Sequence, residues 1–120
     1  EAALTAAQYK LDNLCVIIDK NQLQITGPTK EVCSTDPLPQ KWESFGWAVQ
    51  EIDGNNIAAI TAAFDALPFE KGKPSVIIAN TVKGKGVSFM ENQIKWHHGV
   101  PSQEQYHQDQ NELDNEVVFG

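Results

Sequence analysis

Apolar residues recur in short blocks along the chain, and three of these blocks predict strands. Residues 14–18 form a run of five apolar residues without alternation, a pattern typical of a strand that is buried on both faces of a parallel sheet. Residues 75–79 contain a similar β-branched run, and residues 48–52 form a third candidate. We therefore expect three strands, separated by segments with a different period.

Two helices are predicted in the first half of the chain. Residues 1–11 place Leu4, Ala7 and Leu11 on one face at helical spacing. A shorter helix is predicted over residues 40–45, and we expect it to end at Gly46, because glycine often follows the last helical turn.

The third predicted helix follows the second strand candidate and has the clearest period in the chain. Four apolar residues share one stripe at helical spacing: Ile57, Ile60, Phe64 and Leu67. Asn55 or Asn56 precedes this stripe and can cap the helix. A fourth, polar helix is predicted over residues 103–113. Strands that alternate with helices predict an α/β fold with a parallel sheet flanked by helices.

Residues 19–39 lie between the first strand and the second helix, and no regular element is predicted for them. Gly27-Pro28, Asp36-Pro37 and Pro39 are turn signals within this segment. A loop of this length is uncommon in a compact domain and is often functional.

Composition narrows the class of protein. The 120 residues suit one domain, and the net charge of -7 without a basic cluster excludes an extended nucleic-acid surface. We find no apolar segment long enough to cross a bilayer and no signal-peptide pattern. Cys15 and Cys33 are expected to be free thiols in a reducing compartment, so we expect a cytoplasmic protein. From the charge and the lack of a long apolar segment, we expect it to bind neither nucleic acid nor membrane.

The chemistry-bearing residues follow strand ends, where open α/β sheets bind ligands. After the first strand, Asp19 and Asn21 can offer oxygens to a cation such as Mg²⁺, or can simply close an Asx turn. After the third strand, the Lys-Gly-Lys-Gly of residues 83–86 can approach a phosphate, or can be a solvated basic hairpin.

A third candidate lies further along the chain. Trp96 is followed by His97 and His98, and histidine can act as an acid, a base or an anion ligand near neutral pH. The same residues also fit a surface loop that is anchored by the tryptophan. Each of the three signals is unspecific when it is taken singly.

Their order along the chain resembles the transketolase family of thiamine diphosphate (ThDP) enzymes. Residues 14–23, LCVIIDKNQL, resemble the closing half of the ThDP signature, whose opening Gly-Asp-Gly is not in this sequence. Residues 73–92, KPSVIIANTVKGKGVSFMEN, resemble the transketolase segment around its third strand and loop. Three shorter motifs also resemble the transketolase family: Trp96-His97, Phe-Gly-Trp at 45–47 and Glu-Ile-Asp-Gly at 51–54. The Met-Glu-Asn motif at residues 90–92 is most similar to split transketolases, in which two subunits replace one long chain.

The resemblance implies a partial ThDP-binding domain of the diphosphate type over residues 1–120, with a role for specific residues. The Asn21 side chain and the Leu23 backbone carbonyl would bind Mg²⁺, with Ca²⁺ as a substitute ion, and Asn21 would also lie near the cofactor diphosphate. Lys83 would contact ThDP. His97 would be the catalytic histidine near diphosphate and substrate, because its spacing from Lys83 fits the family. The alternative is His98, because the His-Gly-Val-Pro of residues 98–101 also resembles the family's His-Gly-x-Pro. Glu1 would lie at a dimer interface.

The implied enzyme transfers a two-carbon ketol unit from a ketose phosphate to an aldose phosphate, as in the pentose phosphate pathway. Its implied partners are sugar phosphate substrates and a pyrimidine-binding domain or second subunit, in a homo-oligomer or heterotetramer. The fragment alone is expected to be inactive. The alternatives are another ThDP enzyme, of the deoxyxylulose-phosphate synthase or 2-oxo acid dehydrogenase type, and a non-catalytic interaction fragment.

Overall fold

The computed structural model describes residues 1–116, in which helices alternate with strands as the pattern predicts. The elements run in this order: α1 Ala2–Gln8, β1 Cys15–Lys20, β2 Leu23–Gln24, β3 Gly27–Pro28, α2 Thr29–Val32, α3 Leu38–Ser44, β4 Ala48–Asp53, α4 Ile57–Asp65, β5 Ser75–Asn80, a 3₁₀ turn Ile94–His97 and α5 Gln103–Glu116. None of the helices in this described part is long and apolar enough to cross a membrane.

The three predicted strands form one parallel sheet in the order β1-β5-β4. The predicted α/β class with a parallel sheet flanked by helices is therefore confirmed. Because all three strands run in the same direction, the carboxyl ends of β1, β4 and β5 lie on the same side of this sheet, and the chain leaves all three strands there.

The central strand β5 has the burial that its sequence predicts, and the edge strand β1 does not. Residues 75–79 are buried, and Ile77 is only 1% exposed. Its register partner Ile17 in β1 is 57% exposed. The prediction that β1 is buried on both faces is wrong, because β1 lies at the edge of the sheet and presents Ile17 to solvent.

Helix α1 packs on the sheet through its alanines. Ala6 is buried in a cluster with Trp47, and Ala3 and Ala7 pack against it. The Trp47 indole Nε1 also donates to the Ala3 carbonyl at 2.9 Å. The predicted face of Leu4, Ala7 and Leu11 is wrong in part, because Ala7 packs against the cluster but Leu4 is 55% exposed and Leu11 is 39% exposed. Small side chains let the helix approach the sheet more closely than leucine would.

Helix α4 contacts its neighbours through a face that is rotated from the predicted stripe. Asn56 caps the helix by accepting a hydrogen bond from the Ala59 amide at 3.1 Å. Ala63 is fully buried, whereas Ile57 and Phe64 are exposed. The predicted stripe is therefore wrong in part, again because an alanine makes the closest contact.

The segment over residues 19–39 contains regular structure, which corrects the predicted loop. It holds the antiparallel pair β2–β3 and the single turn α2. Helix α3 begins at Leu38, earlier than predicted, and Gly46 follows it with a φ of +88°. Cys15 and Cys33 are free thiols, as predicted.

The chain divides into two compact units. The first consists of Glu1–Lys20 and Cys33–Thr81 and contains the parallel sheet. The second consists of Asn21–Val32 and the residues from Val82 onward, and it contains the β2–β3 pair, the 3₁₀ turn and α5.

Candidate functional site

A recess in the second unit gathers the residues that the sequence analysis put forward for binding. Its volume is about 320 Å³. Seven residues line it: Asn21, Leu23, Gln24, Ile25, Lys83, Ile94 and His97. Asn21 and Leu23, which are far in sequence from Lys83 and His97, therefore surround a single cavity with them.

The first wall of the recess is a turn closed by Asn21. The Asn21 Oδ1 accepts a hydrogen bond from the Leu23 amide at 2.9 Å. Gln22 between them has a φ of +65°, in the left-handed region that few side chains adopt. The Asx turn is thus present, and it holds the Asn21 side chain beside the backbone of Leu23.

The hairpin after this turn determines the direction of the Leu23 carbonyl. The Thr29 amide donates to the Gln22 carbonyl at 2.8 Å, and Leu23 lies opposite Pro28. These two facts make Leu23 and Pro28 a pair that is not joined by hydrogen bonds, so the amide and carbonyl of Leu23 face away from β3. Since the Leu23 amide reaches Asn21 Oδ1, the Leu23 carbonyl oxygen lies on the same side of the hairpin as that side chain.

The second wall is the lysine- and glycine-rich loop. A Cβ at Gly84 would lie 2.8 Å from the Met90 backbone oxygen, so the glycine allows the loop to fold back closely. The Lys85 ammonium pairs with Glu91 at 3.2 Å. Hydrogen bonds from the Gly86 amide and from Lys85 hold the pKa of Glu91 below its usual value. Lys85 is therefore neutralised by a neighbour, whereas Lys83 lines the recess.

The third wall is the 3₁₀ turn that ends at His97. The Trp96 indole Nε1 donates to the Phe89 carbonyl at 2.9 Å, and the two rings lie 5.4 Å apart. A Cβ at Gly99 would meet the Trp96 ring at 2.5 Å. The tryptophan is therefore an anchor, and it fixes the adjacent His97 at the recess. His98 contacts the His97 ring, with centroids 4.4 Å apart, but His98 does not line the recess.

The donor set fits a phosphate group that is shared with a hard cation. The Asn21 Oδ1 and the Leu23 carbonyl are neutral oxygens, which Mg²⁺ and Ca²⁺ accept as ligands. The Lys83 ammonium and the His97 imidazole can bind phosphate oxygens. Neutral protein oxygens would leave the charge of the cation to be balanced by the phosphates.

Three lining residues were not among the predicted site residues: Gln24, Ile25 and Ile94. Gln24 and Ile25 continue the chain from Leu23, and Ile94 begins the turn that carries His97. Their proximity to the predicted residues in sequence was the signal that could have found them. Ile25 is 62% exposed and gives the recess an apolar wall.

Comparison with known proteins identifies the family. The family model described as the thiamine diphosphate binding domain of transketolase matches residues 1–115. The chain belongs to the transketolase family. The resemblance on which the sequence analysis relied is therefore confirmed.

Its relatives include proteins named as single subunits of transketolases. The chain is 55% identical over 101 residues to an apulose-4-phosphate transketolase subunit of Actinobacillus succinogenes, covering 84% of this chain and 36% of the relative. It is 46% identical to the subunit of the same name from Phocaeicola vulgatus, covering 98% of this chain and 42% of the relative. A 6-deoxy-6-sulfo-D-fructose transketolase subunit of a Clostridium species is 41% identical, with coverages of 97% and 42%. The chain thus spans about two fifths of the length of these relatives.

Solved transketolase structures have the same fold. The transketolase of Campylobacter jejuni superimposes with a TM-score of 0.83 at 28% identity, over 94% of this chain and 18% of that protein. A Pichia stipitis transketolase superimposes with a TM-score of 0.69 at 23% identity, over 98% of this chain and 21% of that protein, which supports the fold alone.

Proposed function

We propose that this chain carries the diphosphate-binding part of the first subunit of a split, ThDP- and Mg²⁺-dependent transketolase. The observation that carries the proposal is the recess in which Asn21, Leu23, Lys83 and His97 meet. Neutral oxygens can bind the cation of a magnesium diphosphate, and the lysine and histidine nitrogens can bind its phosphate oxygens.

Each residue has a distinct task in this proposal. Asn21 Oδ1 and the Leu23 carbonyl bind the cation, and the Asx turn keeps the two oxygens on the same side of the hairpin. Lys83 supplies positive charge to the diphosphate, and His97 donates a proton or a hydrogen bond beside it. ThDP, when it is bound, supplies the carbon nucleophile that carries the ketol unit.

The proposed reaction transfers a two-carbon ketol unit from a ketose phosphate to an aldose phosphate. Two relatives are named for apulose 4-phosphate and a third for 6-deoxy-6-sulfo-D-fructose. Their names differ in the sugar, although all three match this part of the chain. We therefore propose that the diphosphate-binding recess is common to these proteins and that residues outside it select the sugar.

The proposed partner is a second transketolase subunit that carries the pyrimidine-binding domain. Relatives that are each named as one subunit of a transketolase support an enzyme built from two different chains. The complete subunit together with this partner would form the enzyme, as a heterotetramer or another oligomer.

The test is the affinity of the complete two-subunit protein for ThDP, titrated at several Mg²⁺ concentrations. Asn21→Ala removes both the proposed ligand and the acceptor for the Leu23 amide, so we expect the Kd for ThDP to rise at least about tenfold. Asn21→Asp keeps an oxygen at the same place and is expected to retain binding. An alanine variant with unchanged affinity at limiting Mg²⁺ would count against the ligand role.

A further inference from the structure

The ends of β1 and β5 are joined by a side-chain hydrogen bond that the proposed binding roles do not use. The Thr81 hydroxyl donates to the Asp19 carboxylate at 2.5 Å. The Thr81 amide also donates to the Lys20 carbonyl at 3.4 Å. Both contacts lie within the first unit, at the carboxyl ends of the parallel strands.

The turn after β4 holds the other side of Thr81. A Cβ at Gly54 would lie 2.6 Å from the Thr81 methyl carbon and 2.8 Å from the Ala79 side chain. Only glycine fits so close to this residue, and the Gly54 amide donates to the Asn80 carbonyl at 2.8 Å. The threonine side chain therefore has its methyl packed against Gly54 while its hydroxyl reaches Asp19.

The position of this pair in the chain gives it a consequence for the recess. Asn21 follows Asp19 by two residues, and Lys83 follows Thr81 by two residues. The two segments that carry the proposed cation and phosphate ligands thus leave the sheet beside the same hydrogen bond. A bond to a charged carboxylate is among the stronger ones available to a hydroxyl.

We infer that Asp19 and Thr81 are positioning residues, which fix the spacing between the Asn21 turn and the Lys83 loop for diphosphate binding. The inference rests on the proposed function. Because this bond adds a side-chain link to the backbone pairing of β1 and β5, it limits the relative movement of the two points at which the ligand-bearing segments leave the sheet. Small displacements of binding groups have large effects on binding and turnover. Asp19, which the sequence also offered as a cation ligand, is assigned to Thr81 instead.

The experiment measures the binding of inorganic pyrophosphate with Mg²⁺ to the complete two-subunit protein by calorimetry, together with the Tm of each variant. Thr81→Val keeps the methyl that packs on Gly54 and removes the hydroxyl. We expect the pyrophosphate Kd to rise about tenfold in this variant, measured well below its Tm. Thr81→Ser keeps the hydroxyl and is expected to bind within about threefold of the unchanged protein.

A double variant separates positioning from a general loss of stability. Asp19→Ala and Thr81→Val remove two ends of one hydrogen bond, so the double variant should bind pyrophosphate no more weakly than the weaker single variant. If the two effects add in full, or if Thr81→Val and Thr81→Ser weaken binding equally, the positioning role is wrong.

The outcomes also distinguish this inference from the proposed function. Weaker pyrophosphate binding in Asn21→Ala together with unchanged binding in Thr81→Val would overturn the inference and leave the proposed diphosphate site standing. An unchanged protein that binds no pyrophosphate with Mg²⁺ would overturn both.

Discussion

The carboxamide of Asn21 can close a turn and bind a cation at the same time. Its Oδ1 accepts the Leu23 amide, and a carbonyl oxygen has a second lone pair. The hairpin directs the Leu23 carbonyl to the same side as Asn21. The Asx turn is therefore compatible with the proposed cation site, because the hydrogen bond orients one ligand beside the other.

The two adjacent histidines provide a prediction at the residue scale. His97 lines the recess with Lys83, whereas His98 contacts the His97 ring and lies outside the lining. We expect His97→Ala to lower kcat of the complete enzyme at least about tenfold, and His98→Ala to lower it less than about threefold. Steady-state kinetics of both variants under saturating ThDP would measure this ranking. The reverse ranking would move the catalytic assignment by one residue.

Burial differs between strands that have nearly the same composition. β1 and β5 both contain a Val-Ile-Ile run and pair in register, with Ile17 opposite Ile77. β5 has a strand on each side, and β1 has one on a single side within the described sheet. Position in the sheet therefore decides how much apolar surface each strand removes from water.

This difference predicts unequal costs for the same substitution in the 120-residue chain. Ile77→Ala should lower the free energy of unfolding by about 2–5 kcal/mol, because it leaves a cavity in a buried strand. Ile17→Ala at the register partner should cost less than about 1 kcal/mol, because that side chain is 57% exposed. Urea unfolding of the two variants would measure both values. Equal costs would contradict the edge position of β1.

Helix α5 is tied to the loop before the 3₁₀ turn by Glu112. Its carboxylate accepts hydrogen bonds from Gln108 at 2.7 Å, from the Ser88 amide at 2.6 Å and from the Ser88 hydroxyl at 2.7 Å. These donors favour the ionised form and lower the pKa of Glu112 below its usual value, with Gln108 as the largest cause.

The lowered pKa predicts a pH dependence for this attachment. A carboxyl group whose pKa is lower in the folded than in the unfolded state stabilises the folded protein. This stabilisation is complete above the ordinary pKa and is lost as the pH falls through the pKa of the folded state. We therefore expect the Ser88 amide resonance to be constant near neutral pH and to shift with a midpoint below the ordinary pKa of a glutamate side chain. Glu112→Gln should abolish the shift, whereas Glu104→Gln in the first turn of α5 should leave it unchanged. A Ser88 titration that persists in Glu112→Gln would contradict this account.

The whole chain spans about two fifths of the length of its relatives, and this sets the expectation for the molecule in isolation. Two neutral oxygens, one lysine and one histidine can hold a magnesium diphosphate only weakly without further walls. We expect the 120-residue chain to show no ketol transfer with ThDP and Mg²⁺, in an assay that detects turnover by the complete two-subunit protein. Measurable turnover by the chain alone would contradict this prediction.

The sequence by itself determined the class of fold and the order of the strands along the chain, and it put forward the residues for which we propose magnesium diphosphate binding. These features depend on local periods and on motifs around Asn21, Lys83 and His97, which are readable without neighbours. The tertiary structure alone decided which strand is central, which face of α1 and α4 is buried, and that the three motifs line one recess. Burial and convergence depend on which segments become neighbours. An exposed Ile17 and a buried Ile77 are alike in sequence until the sheet places one at its edge and the other at its centre.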